Sequence, residues 1–319
     1  MGSYGIQVQW LTGVLVLQQL RADGARARLQ LQQLQHGEAG AAGARPLLLL
    51  RRLGCGALGL LALGLGLGGA AAVLVLFRNT VTYQIASPDS HLSTSLQPLH
   101  FVQRLDYATS GVLCIARNKA AAARAGNLFE KRLTKKYYLA VVRGHASFEV
   151  ADIEFNVGVD PSTMESSHRM SALTSCESSA SCVQSRTAQT RALALETGYY
   201  DNDPVSVVLL KPITGRRHQL RVHCNAIGHT ILGDYTYSGT LDNAPHRMFL
   251  HATRLVLPVP QEHLDIQTHE PFFSDPRFTN KWKSDRVFYK YRSKKDFNVV
   301  CDIIDKSYVI GVQYKMYKM

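Results

Sequence analysis

The chain has 319 residues, 46% of them hydrophobic, which is ample for a substantial core in one large domain or two modest ones. Its 36 Lys and Arg against 24 Asp and Glu leave a formal charge of +12, which fits either a polyanionic partner (nucleic acid or an anionic membrane surface) or a solvated basic surface. The six cysteines, at 55, 114, 176, 182, 224 and 301, lack any zinc-ligand spacing, so no metal site is implied and a reducing intracellular compartment, cytoplasm or mitochondrion, is expected.

Residues 1–85 differ in texture from the rest. They are rich in Leu, Ala, Gly, Gln and Arg and hold no lysine, and they read as a low-complexity extension. Within it, LGCGALGLLALGLGLGGAAAVLVLF, residues 53–77, is uncharged and long enough for a candidate membrane span, although seven of its 25 residues are glycine. The apolar run starts too late for an amino-terminal signal peptide, while an Arg-rich leader of the organellar kind stays open.

From residue 86 the pattern becomes that of a folded α+β domain, expected over 86–265. GVLCIARN (111–118) reads as a strand, and the alanine-rich KAAAARAGNLFEKR (119–132) as a helix capped by Asn118. KKYYLAVVRG (135–144) is a β-branched and aromatic strand ended by glycine. Residues 162–190 are rich in Ser and Thr without a clear period, which predicts a long surface insertion. TRALALE (190–196) and PVSVVLLKP (204–212) predict neighbouring strands around a GYYDND turn, and TGRRHQLRVHCNAIG predicts a glycine turn entering a helix. MFLHATRLVLPVP (248–260) reads as another strand. Residues 266–319 form a basic, aromatic tail, with ten Lys and Arg against four acids between 281 and 318. Such a tail suits either a single-stranded RNA surface or packing of its rings on the domain.

The stretch HFVQRLDYATSGVLCIARNK (100–119) sets one carboxylate, Asp106, between Arg104 and a glycine turn. On an extended strand the spacing of Arg104 and Asp106 puts both on one face, and the arginine favours the ionised acid. The same alternation sends Tyr137 and Tyr138 to opposite faces. The Thr214-Gly215-Arg216 turn precedes a helix and is expected to offer backbone N–H groups to a phosphate. His218 and His223 are poorly spaced for a metal and read as hydrogen-bonding or packing groups, and Gly233, Asp234 and Tyr237 as structural. A hydrolase centred on Ser110 lacks an accompanying histidine in the sequence around it.

RLDYATSG, TKKYYLAVVRG, TGRRHQLRVHCNAIGHTILGDYTY and FLHATRLVLPVP, in this order, resemble the RluA-type pseudouridine synthases over about residues 98–260. The resemblance implies a pseudouridine synthase fold: a mixed, mostly antiparallel sheet flanked by helices. The early strand of that fold is not recognisable, so the N-terminal edge reads as incomplete. It also implies cofactor-free isomerisation of uridine in RNA. By resemblance Asp106 is the catalytic residue, Arg104 fills the space of the flipped base, Tyr138 stacks on that base, and Arg221 pairs with Asp106. Lys136, Thr214, Gly215, Arg216, His218 and Gln219 are the expected RNA-binding residues. A common family form has histidine where this chain has Gln103. Uridine-containing RNA is the expected partner of a monomeric chain. The alternatives are an RNA-binding protein that keeps the fold without turnover, and a membrane-anchored interaction protein using residues 53–77.

Overall fold

Strand Lys135–Arg143 (β5) shows how the sequence builds this molecule. Its alternation sends Tyr137, Leu139 and Val141 into one hydrophobic cluster and Tyr138, Ala140 and Val142 towards another, on the opposite face of the sheet. The computed structural model describes residues 8–11 and 14–19 as backbone, and 100–106, 108–116, 118–163, 169–173, 182–259, 262–306 and 314–318. The candidate span 53–77 lies outside these residues. Among the described residues no helix is long and apolar enough to cross a membrane.

Strands Val8–Leu11 (β1) and Val14–Gln19 (β2) form a hairpin, and β2 runs antiparallel to Ser110–Ala116 (β4). The sheet edge expected to be incomplete is therefore occupied. VQWLTGVLVLQQ is apolar strand sequence hidden in a compositionally biased leader. The short strand His100–Phe101 (β3) also pairs with β4. Helix Lys119–Glu130 (α1) begins at Asn118, whose side chain accepts the Ala121 N–H at 2.8 Å. Its Ala121, Ala125 and Leu128 fall on one face and pack with Val112 and Cys114 of β4.

Strands Val150–Glu154 (β6), Thr190–Tyr200 (β10), Asp203–Pro212 (β11) and Leu250–Val259 (β12) complete the middle of the sheet. Its order is β1-β2-β4-β12-β5-β11-β10-β6-β15, where β15 is Tyr314–Lys318, and the pairing is antiparallel except for β4 with β12 and β15 with β6. The β10–β11 turn is tighter than the sequence implies. Gly198, Tyr199 and Tyr200 belong to the strand, and Asp201 and Asn202 alone make the turn, both at positive φ (55° and 68°).

The stretch read as a surface insertion contains structure. Asn156–Val159 (β7) pairs with both Met170–Leu173 (β8) and Val183–Arg186 (β9) in a separate three-stranded sheet. Strands of only four residues are too short for a period to stand out in a Ser- and Thr-rich stretch, which is why the sequence conceals them. Helix Gln219–Ala226 (α2) follows β11, and Glu262–Gln267 (β13) pairs back on β12.

Beyond residue 266 the chain packs onto the sheet. A short helix, Pro276–Thr279 (α3), leads to Trp282–Val287 (β14), which pairs with β10. Helix Lys294–Asp305 (α4) buries Phe297, Val300, Cys301 and Ile304 in the largest cluster, with Trp282, Tyr289 and Tyr291 against them. These rings are committed to the core. Asp305, closing α4, accepts Lys135 Nζ at 2.6 Å and the Tyr137 hydroxyl at 3.0 Å, and pairs with Lys211 at 2.6 Å. It ties the helix to β5 and β11.

Candidate active site

The segment between β3 and β4 holds Asp106 by its backbone. The Asp106 carbonyl accepts the Thr109 N–H at 2.9 Å, closing a turn just before β4. Gly111, at φ +116°, then lies against β12, where a Cβ would stand 2.2 Å from the Ala252 carbonyl oxygen. The glycine lets the two backbones meet and so pins the start of β4. Arg104 and Asp106 do not lie on a strand as the spacing suggested, because β3 stops at Phe101. Both nevertheless line one cleft of about 680 Å³.

Arg221, in the first turn of α2, reaches Asp106 with Nη1 at 3.8 Å from the carboxylate. Its stronger partner is Asp234, to which it donates two bonds of 2.7 Å each. The Asp234 side chain is fully buried, and its Oδ1 also accepts the Tyr237 N–H. The guanidinium lies over the Tyr237 ring, 4.8 Å from its centroid. Burial alone would ease the proton off Arg221, but the bonds and charge of Asp234 outweigh it and raise the pKa above its ordinary value. Arg221 is thus a fixed cation facing Asp106, and Asp234 is what fixes it. In the sequence GDYTY resembled an ordinary turn, and nothing in it signalled an acid paired 13 residues back.

Tyr138 and Lys136, from β5, and Leu250, from β12, also line the cleft. Leu220 adds an apolar wall. Burial, with the Asp106 charge as the second cause, raises the Tyr138 phenol above its ordinary value, so it stays protonated at neutral pH. Tyr137 points away, as the alternation requires. Burial and the nearby Arg132 charge bring the Lys136 ammonium down to about 8.

The turn before α2 differs from expectation. Thr214 and Gln219 are buried and bonded to each other at 2.6 Å. The same Gln219 oxygen accepts the Arg216 N–H at 2.9 Å, and its nitrogen donates to the Gln189 carbonyl and the Thr190 hydroxyl. The Gln219 side chain therefore takes up the Arg216 N–H of the expected phosphate cradle, and Thr214 and Gln219 brace the turn while still bordering the cleft. Gly215, Arg216 and His218 remain on the cleft wall. The cleft is lined by Arg104, Arg132, Lys136, Arg186, Arg216 and Arg217 against only Asp106 and Glu130 as acids. Burial and the charges of Arg132 and Arg186 lower the Arg216 pKa, a mark of crowded cations suited to a polyanion. Arg132, Arg186 and Arg217 were not singled out in the sequence, although Arg217 lies within TGRRHQLR.

A family model described as RNA pseudouridylate synthase matches residues 84–226. RNA pseudouridylate synthase domain-containing protein 1 of Danio rerio is 45% identical over 182 residues, 57% of this chain and 60% of that protein. The dual-specificity RNA pseudouridine synthase RluA of Escherichia coli (strain K12) is 38% identical over 160 residues, 50% of this chain and 67% of RluA. The chain belongs to the RNA pseudouridylate synthase family. The solved structure of human RNA pseudouridylate synthase domain containing 1 superimposes with a TM-score of 0.60 at 34% identity, covering 72% of this chain and 86% of that one. The chain spans about three-fifths of the length of the vertebrate relatives it matches.

In this synthase-family chain Ser110 does have a histidine beside it. His251, 141 residues away, places Nδ1 at 2.7 Å from Ser110 Oγ, and Arg247 donates to the same oxygen at 2.5 Å. Ser110 and His251 are both fully buried, and burial, with the Arg247 charge, drops the imidazole to about 3. A neutral, enclosed histidine serves this strand junction as a hydrogen-bonding group. His223 is likewise internal, bonded to the Thr190 hydroxyl and the Phe155 carbonyl, each at 3.0 Å. Among the described residues no group of acids, histidines and cysteines is arranged to hold a metal.

Proposed function

We propose that the protein isomerises uridine to pseudouridine in RNA, with Asp106 as the catalytic residue. The carrying observation is a cleft that brings together Asp106 and Tyr138, with six cations on its walls and buried Arg221 paired to the Asp106 carboxylate. Uridine isomerisation breaks the N1–C1′ bond, turns the base, joins C5 to C1′, and releases the C5 proton while N1 takes one up. A single carboxylate suits this chemistry, since it can engage the sugar or base, or take a proton, without a cofactor. Arg221 keeps that carboxylate oriented through their opposite charges. A stacked base cannot reach an acid on a cleft wall, so the nucleotide must leave its stack. Arg104, exposed at the cleft, is placed to occupy the gap, and Tyr138 offers a ring against the displaced base. Lys136, Arg132, Arg186, Arg216 and Arg217 suit phosphates on either side.

RNA tritiated at uridine C5 tests this directly. The wild-type protein is expected to release label, and Asp106→Ala to release none while still binding the RNA. Failure of release by folded wild-type protein that retains RNA would favour a binding protein of the same fold.

A further inference from the structure

The Tyr237 hydroxyl meets Nδ1 of His218, and which of the two donates decides the tautomer of the ring. A phenol has one proton to donate. Its oxygen accepts the Met170 N–H at 3.1 Å, and its other partner is His218 Nδ1 at 2.9 Å. Met170 opens β8, whose pairing with β7 sets the direction of that N–H. Tyr237 is 4% exposed, and burial is the main cause that pushes its acidity up to about 12, so it keeps its proton. A hydroxyl that donates to Nδ1 leaves the imidazole proton on Nε2. Burial also lowers the His218 pKa despite the opposing charge of Asp106, so the ring is neutral at pH 7. Two guanidiniums hold the Tyr237 ring in place, Arg221 at 4.8 Å and Arg169 at 5.2 Å from its centroid.

We propose that His218 donates its Nε2–H to an oxygen of the target nucleotide, and that Tyr237 is the positioning residue that holds it in this form. The proposal rests on the pseudouridine synthase reading above. His218 lines the same cleft as Asp106, and its ring bond is to Tyr237 rather than to that carboxylate. The residue sits at φ 54°, where the left-handed backbone at the start of α2 sets the direction of the side chain. A neutral donor there suits a carbonyl or hydroxyl oxygen and adds no charge beside the reacting acid.

His218→Gln keeps an N–H near the position of Nε2, whereas His218→Asn and His218→Leu remove it. On C5-tritiated RNA, kcat/KM is expected to stay within about tenfold of wild type for Gln and to fall about 30- to 100-fold for Asn and Leu. Long-range nitrogen NMR of the free protein is expected to show the Nε2–H tautomer in wild type and a mixture in Tyr237→Phe. An Nδ1–H tautomer in wild type, or equal losses in all three His218 variants, would overturn the proposal and leave the pseudouridine reading intact. No release by wild type would remove that reading, and the His218 assignment with it.

Discussion

Arg221 stands between two carboxylates that it treats differently: two short bonds to Asp234, and a longer ion pair to Asp106. Removing Asp234 would leave a guanidinium with a side chain only 9% exposed, its two short bonds lost and Asp106 at 3.8 Å its remaining carboxylate. Asp234→Ala is therefore expected to cost about 3–5 kcal/mol in urea unfolding. It should also lower tritium release in the protein that remains folded, because Arg221 is then free to collapse onto Asp106. At this scale the sequence showed the candidates that each sit in a short motif: Arg104, Asp106, Tyr138 and Arg221. Asp234 and the Ser110–His251 pair were illegible because their meaning lies in partners brought close by other elements.

At the scale of elements, β4 carries the turn that holds Asp106, and Gly111 lets it approach β12. Gly111→Ala is expected to destabilise by about 3 kcal/mol or more, since it combines positive φ with a backbone clash, and to reduce activity. Gly126, inside α1, is the control: no atom lies within 4 Å of a Cβ there, and alanine should stabilise by about 0.5–1 kcal/mol. Urea midpoints of the two variants should move in opposite directions. The elements legible in advance were those with strong local signals, such as α1 with its Asn118 cap and the alternating β5. The β1–β2 hairpin and strands β8 and β9 were hidden, the first by biased composition and the others by being only four residues long in a Ser- and Thr-rich stretch. Packing neighbours, rather than local preference, sustain such strands.

For the whole molecule, the buried histidines set the response to acid. His223 and His251 are pushed down to about 4 and about 3, chiefly by burial, against an ordinary value near 6.5. As pH falls through 6.5 the unfolded chain takes protons that the folded chain refuses, so stability drops from there to about pH 4 or below. Between pH 7 and pH 5 each histidine should remove roughly 2 kcal/mol, readable as a falling urea midpoint.

The cleft draws its walls from residues 102–138, from Arg186, and from residues 212–250, and the sheet beneath joins Ser110 to His251 and Val150 to Tyr314. Pairings across such distances along the chain demand long loop closures before any contact compensates for them. Folding is accordingly a slow, non-local process, on the order of milliseconds to seconds or longer. The helix α1 and the β10–β11 hairpin can form early from neighbouring residues, whereas Asp106 and Arg221 face each other only after the distant strands have docked. A refolding chain should regain its backbone signal well before it regains an assembled cleft.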